Sequence, residues 1–134
     1  MNPDASKASS PLRLGIIGCG NVLGAYQMVI DRLRARGAVE VILACGREAQ
    51  RSSARSLLQT ARFTTDARDV IEADDLDAVI ILTSMSEHAR WAQAALEAGK
   101  HVLVEKPFAT TLTEANNLIA LSERTGRLLI CAPF

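Results

Sequence analysis

Residues 12–24 read Leu12-Arg-Leu-Gly-Ile-Ile-Gly-Cys-Gly-Asn-Val-Leu-Gly24. An apolar run, Leu14 to Ile17, stops at Gly18, and Gly20 follows two residues later. Val22, Leu23, Tyr26, Ile30 and Leu33 then recur at helical spacing. The order is strand, glycine turn, helix. Glycines in such a turn let backbone N–H groups approach a pyrophosphate, and the positive end of the helix faces the negative charge. Any tight strand-to-helix turn favours glycine, so support for a binding site must come from other segments.

Working outward, the same alternation repeats. Arg36-Gly37 closes the first helix. Val39 to Cys45 is a second strand, nearly all apolar, as a strand covered on both faces should be. Glu48 to Thr60 reads as a helix with Ala54, Leu57 and Leu58 inward, and Arg62 to Thr64 as a short third strand. Asp66 caps a short helix through Glu72, and Asp74 to Asp77 is an acidic turn. Ala78 to Leu82 is a fourth strand, and Thr83 to His88 is a polar crest. Ser84 and Glu87 have capping-box spacing for a helix that buries Trp91, Ala92, Ala95 and Leu96 and stops at Gly99. His101 to Val104 is a fifth strand. Thr111 and Glu114 open a helix with Ala115, Leu118, Ile119 and Ser122 on one face, ending at Gly126. Arg127 to Ala132 is a sixth strand.

This alternation predicts an α/β fold: a doubly wound parallel six-stranded sheet of Rossmann type, strand order 3-2-1-4-5-6. A flavodoxin-like or receiver domain is the alternative. It needs five strands, and a receiver wants an acidic cluster where this chain has Gly18-Cys19-Gly20. A chain of 134 residues suits one domain with its own core. Residues 1–11 are expected to be a flexible polar tail and residues 12–134 the domain. Hydrophobic residues at 49% argue against disorder. Zero net charge with scattered Lys and Arg argues against a nucleic-acid surface. The three cysteines, Cys19, Cys45 and Cys131, offer neither metal-ligand spacing nor a closed disulfide set. No metal site and a reducing, cytoplasmic setting are therefore expected. No run reaches membrane-spanning length, and the tail is not a signal peptide.

In parallel α/β sheets ligands bind beyond the carboxyl ends of the strands. Those ends carry Gly18 to Val22, Gly46-Arg47, Thr83 to His88, and Glu105-Lys106-Pro107. In the usual fingerprint a small residue sits three positions after the second glycine. Here Leu23 holds that place and Gly24 comes one later, so the helix is expected to stand slightly away or rotate. An Asp or Glu closing the second strand would bind the adenosine ribose of NAD. None stands between Val41 and Arg47. Gly46 leaves room for a 2′-phosphate and Arg47 supplies a charge, with Arg51 one turn on, which favours NADP over NAD. Glu48 is the one carboxylate placed to oppose that preference. In Glu105-Lys106-Pro107, Lys106 can pass a proton to or from a substrate hydroxyl, and Glu105 can accept from a ribose hydroxyl. Pro107 fixes the turn, with a cis bond one way to do so.

Taken together, Gly15-Ile-Ile-Gly-Cys-Gly-Asn21, Asp77-Ala-Val-Ile-Ile-Leu-Thr83, His88, and Ala98-Gly-Lys-His-Val-Leu-Val-Glu-Lys-Pro107 resemble the amino-terminal domain of the Gfo/Idh/MocA oxidoreductases. The resemblance runs from about Leu12 to Phe134. It implies a domain that binds NAD or NADP and serves hydride transfer between nicotinamide and a secondary alcohol or carbonyl of a sugar- or cyclitol-like substrate. By resemblance, Gly18, Gly20, Asn21 and Val22 line the pyrophosphate, and Thr83, Ser84 and His88 lie near the nicotinamide half. Glu105, Lys106 and Pro107 match the family's Glu-Lys-Pro, whose lysine contacts the reacting oxygen. Gly46-Arg47 matches NADP-preferring members, and Ser84 departs from the proline common after the threonine. The family continues into a second α+β domain that holds most substrate contacts and usually the oligomer interface. The resemblance thus implies a piece of a homo-oligomeric enzyme that turns over little alone. The alternative function is a nucleotide-binding, redox-sensing or regulatory module without catalysis. A pure sensor has no need of Lys106.

Overall fold

The structure is a computed structural model and describes residues 9–59 and 62–132. Residues 1–8 of the expected tail, Thr60 at the end of the expected second helix, and Phe134 lie outside it. The strands are β1 (Leu12–Ile17), β2 (Val39–Cys45), β3 (Arg62–Thr64), β4 (Ala78–Ile81), β5 (His101–Val104) and β6 (Leu129–Cys131). The helices are α1 (Leu23–Ala35), α2 (Arg51–Leu58), α3 (Ala67–Glu72), α4 (Met85–Glu97) and α5 (Leu112–Thr125). Among the described residues the strands form one sheet, order β3-β2-β1-β4-β5-β6. Every pairing is parallel. The sequence predicts this order, and β1 is central because both halves of the chain return beside it.

Two cores follow from the two faces of the sheet. One collects Leu14, Ile16, Leu23, Ile30, Val41, Ala54 and Leu58 under α1 and α2. The other collects Ile17, Val79, Ile81, Ala92, Leu96, Val102 and Leu118 under α4 and α5. Ile16 and Ile17, neighbours in β1, point into opposite cores at 0% and 2% exposure, the period of two that a strand covered on both faces requires. Leu23 is fully buried in the first core. Side chains of its size contribute roughly 1.5–3 kcal/mol each on burial. Helix α1 therefore packs through Leu23. Gly24 meets no atom within 4 Å of a built Cβ, so it provides no close helix approach.

Four local expectations need correction. The Ser84–Glu87 box does not form. Ser84 is the N-cap of α4 but its side chain caps no N–H. Its Oγ lies 3.4 Å from Ser86 Oγ, and the Glu87 carboxylate is taken by Arg90 at 3.2 Å. On α5, Leu118 and Leu121 are buried while Ile119 is 48% exposed, so the buried stripe lies one position round from the expected face. The Thr111 cap is as expected, its Oγ1 accepting from Glu114 N–H at 3.1 Å. The Glu114 carboxylate, though, reaches back to Thr110 rather than Thr111. The predicted helix from Glu48 begins as a single 3₁₀ turn, Glu48–Gln50, before α2 proper.

At the amino ends of the strands, Asp77 joins β4 to β1. Its carboxylate accepts from Arg13 N–H at 2.8 Å, Nε at 3.1 Å and Nη2 at 2.9 Å. These bonds hold its pKa below the ordinary 3.8. A carboxyl with a depressed folded-state pKa contributes stability above its unfolded value, lost as pH falls through the folded one. Wild-type stability measured by urea unfolding is expected to fall steeply below about pH 4. Asp77→Asn should start lower at neutral pH and fall less steeply, because this link no longer titrates.

Candidate nucleotide cleft at the carboxyl ends of the strands

The carboxyl ends of β1 to β4 open onto a cleft of about 1390 Å³. That exceeds the ~300–1,000 Å³ of a drug-sized site, as an extended ligand requires. Gly18, Gly20, Gly46, Arg47, Thr83 and Ser84 line it. Asn21 and Val22 lie just beyond its wall, on the turn leading into α1.

The glycines serve three different ends. Gly18 has φ +105°, and a Cβ there would stand 2.6 Å from the Leu82 carbonyl carbon, so its bareness lets β1 and β4 close together. A Cβ on Gly46 would meet Gln50 Oε1 at 2.8 Å and Cys19 Cβ at 3.0 Å, so its bareness lets the 3₁₀ turn fold over the first loop. Gly20 is different. A Cβ there would meet only Gln50 Nε2, at 3.9 Å, within the protein. Its bareness leaves open space, and that space is cleft. Directly behind it, α1 starts with no side-chain cap and no acidic residue in its first turn. The helix thus turns a positive end toward that space with no side-chain cap or carboxylate set against it, although the Leu23 and Ala25 N–H groups donate back to the Gly20 and Val22 carbonyls.

The cations of the cleft are unequal. Arg68 makes a two-pronged pair with Asp66, at 3.1 and 2.9 Å. Arg90 pairs with Glu87 at 3.2 Å and lies 4.5 Å over the Trp91 ring. Arg51, just outside, holds both oxygens of Glu48 at 2.7 and 2.8 Å and lies 4.7 Å over Phe63. The pairing lowers the Glu48 pKa, first through the hydrogen bond from Arg51. Glu48 is thus held by Arg51. Arg47 is anchored by its backbone alone: its N–H donates to Gln50 Oε1 at 2.9 Å, and its C=O accepts from Gln50 N–H at 2.8 Å. Among the described residues its guanidinium pairs with no carboxylate.

Beyond the crest the chain arranges a second cluster. His88 is 2% exposed. Its Nδ1 lies 2.6 Å from the Pro107 carbonyl oxygen and its Nε2 2.9 Å from the Thr83 carbonyl oxygen. It ties the end of β4 to the turn after β5, and so sets Thr83 relative to Lys106. The Lys106–Pro107 bond is cis. Lys106 is exposed. Glu105 receives the Tyr26 hydroxyl. His88, Glu105, Lys106 and Pro107 lie outside the cleft wall proper.

Some lining residues were not singled out from sequence: Gln50, Thr65, Asp66, Arg68, Arg90 and Trp91. Thr65 to Arg68 follow β3, so reading the end of that short strand like the others would have found them. Arg90 and Trp91 sit in the second turn of α4, where only folding reveals them. Cys19 and Cys45 are buried free thiols beneath the cleft floor, burial pushing both pKa values up to about 11. Among the described residues no group of three or more His, Cys, Asp or Glu could hold a metal ion, and no helix is long and apolar enough to cross a membrane.

Comparison with known proteins agrees with this geometry. The profile of the oxidoreductase family Gfo/Idh/MocA, NAD-binding Rossmann fold, matches residues 12–132. A dTDP-3,4-didehydro-2,6-dideoxy-α-D-glucose 3-reductase from Actinomadura kijaniata is 34% identical over 126 residues, covering 91% of this chain and 36% of that protein. An inositol 2-dehydrogenase/D-chiro-inositol 3-dehydrogenase from Halalkalibacterium halodurans is 30% identical over 123 residues, covering 92% and 35%. Biliverdin reductase from Synechocystis, solved with biliverdin and NADP+, superposes with a TM-score of 0.82 at 28% identity, covering 91% and 38%. The chain thus spans little more than a third of each. It belongs to the Gfo/Idh/MocA oxidoreductase family, as its NAD-binding Rossmann domain.

Proposed function

We propose that this chain is the cofactor half of an NADP-preferring oxidoreductase that exchanges hydride with a secondary alcohol or carbonyl of a sugar- or cyclitol-like substrate. The observation that carries the cofactor preference is Arg47, a cleft cation whose guanidinium pairs with no carboxylate among the described residues, placed beside Gly46 where β2 ends without a carboxylate. Arginine offers a planar, permanently charged fork suited to a phosphate. The fork needs no rearrangement of an existing ion pair to meet one, whereas Arg68 and Arg90 would have to release Asp66 and Glu87. The open space at Gly20 and the uncapped start of α1 fit a pyrophosphate.

The bound nicotinamide supplies or accepts the hydride. The protein's part is to orient and to move a proton. Thr83 lines the cleft, and His88 ties it to the Lys106–Pro107 turn, which supports assigning the nicotinamide half to that side. Lys106 Nζ gives its proton to the substrate oxygen in reduction and takes it back in oxidation. The reductase and dehydrogenase named above support a sugar or cyclitol substrate, while the biliverdin reductase shares the cofactor domain and not that substrate. The substrate pocket therefore belongs mainly to the second domain implied by the resemblance. A redox-sensing module would bind cofactor equally well and would not need Lys106.

Titration calorimetry at low salt tests the preference. NADP is expected to bind the wild-type chain about ten- to a hundredfold more tightly than NAD, the range of one charge-assisted contact. Arg47→Ala should lose most of that ratio. Equal affinities in wild type, or a ratio untouched by the substitution, would refute the assignment. In a chain extended by its second domain, Lys106→Met should abolish turnover while keeping NADP affinity. Turnover surviving in Lys106→Met would remove the proton-transfer role.

A further inference from the structure

We propose that Tyr26 is a positioning residue, holding Glu105 in the one orientation from which its carboxylate meets the ribose at the nicotinamide end of the cofactor. This rests on the proposed dinucleotide site and on the reading from sequence that Glu105 accepts from a ribose hydroxyl, here assigned to the nicotinamide end beside Lys106. Tyr26 stands in the first helix after the glycine turn, and its ring packs against the core of Leu14, Ile16 and Ile30. Its hydroxyl leaves that core and donates to Glu105 Oε1 at 3.1 Å, 79 residues away in sequence. The other oxygen, Oε2, accepts from the Lys106 backbone N–H at 3.3 Å. Each carboxylate oxygen is thereby fixed by one donor and keeps a lone pair for another.

Without the phenol, a glutamate on flexible torsions beside a lysine has an obvious competing partner, the Lys106 ammonium. Among the described residues Glu105 and Lys106 form no ion pair. The phenol bond thus does two things. It holds the acceptor in place, and it keeps Lys106 free of its neighbour. Burial and the Glu105 charge push the Tyr26 pKa up to about 12, with Cys131 adding a smaller push, so at neutral pH the phenol remains a donor. Because Tyr26 rides on the same helix whose start faces the pyrophosphate, α1 links the two ends of the cofactor site.

The test compares two ligands. NADP carries the nicotinamide riboside; adenosine 2′,5′-bisphosphate carries only the adenine half. Calorimetric titration of Tyr26→Phe, which keeps the ring, should show NADP weakened about five- to twentyfold and the bisphosphate unchanged. Glu105→Ala should weaken NADP to a similar extent, and adding Tyr26→Phe to it should weaken NADP no further. A general structural role would lower both ligands together. Equal losses for both ligands, or additive losses in the double variant, would overturn the positioning role. So would a silent Tyr26→Phe beside a weakened Glu105→Ala, with the ribose reading left standing. An unchanged NADP affinity in Glu105→Ala would instead overturn the ribose reading itself.

Discussion

Gly20→Val is expected to weaken NADP about a hundredfold or more, roughly 2.8 kcal/mol, while leaving thermal stability near the wild-type value. The two halves of this expectation have separate causes. A side chain at position 20 meets almost nothing in the protein, the nearest atom to a built Cβ being Gln50 Nε2 at 3.9 Å. It meets the cleft instead, at the place where the uncapped end of α1 points. The added methyls would stand between the helix end and the pyrophosphate and push the phosphates away from the N–H groups. Calorimetry and a melting curve on the same sample separate binding from folding. Undiminished affinity in Gly20→Val would place the nucleotide elsewhere.

Gly18→Ala is expected to do the reverse, lowering stability by roughly 2–6 kcal/mol before any ligand is considered. The single added carbon collides with main chain: Leu82 C at 2.6 Å, Leu82 O at 2.7 Å and Thr83 N at 2.8 Å. A φ of +105° adds backbone strain for any residue with a Cβ. Relief requires β1 and β4 to separate, which opens both cores at the centre of the sheet. Small domains have only ~5–15 kcal/mol in hand, so the loss is a large share of the total. Urea unfolding checks it. A Gly18→Ala chain as stable as wild type would mean that the close approach of β1 to β4 is not needed.

These two glycines show what was legible in the chain and what was not. Gly18-Cys19-Gly20 announces a strand-to-helix turn, and the alternation that follows fixes the order of strands. Sequence alone assigns both glycines to the pyrophosphate. Only the fold reveals that Gly18 answers to Leu82, 64 positions on, while Gly20 answers to empty space. Leu23 had a similar fate. The fingerprint predicted that Leu23, standing where a small residue is usual, would hold the helix away, and packing instead makes it an anchor of the first core. The string Ala98 to Val104 carries much of the family resemblance, yet its start lies at the amino ends of the strands, away from the cleft. There the buried Lys100 amine donates to the Ile71 carbonyl at 2.8 Å and closes the end of α3, burial lowering its pKa. Local pattern reads such a lysine as a charge on a turn, because its partner comes 29 residues earlier. The Tyr26–Glu105 bond was equally out of reach, because its partners stand 79 residues apart and only folding brings them together.

In the proposed function the dinucleotide lies over the turn from Gly18 to Val22 with its 2′-phosphate at Arg47. A ¹⁵N-labelled sample of this chain titrated with NADP reads that placement residue by residue. Gly18, Gly20, Asn21, Val22, Gly46 and Arg47 should show saturable amide shifts, larger for NADP than for NAD at Gly46 and Arg47. Gly37, Gly99 and Gly126 close helices at the opposite end of the strands and should stay still. Shifts centred on those three glycines, or no saturable shift at Gly18 to Val22, would contradict it.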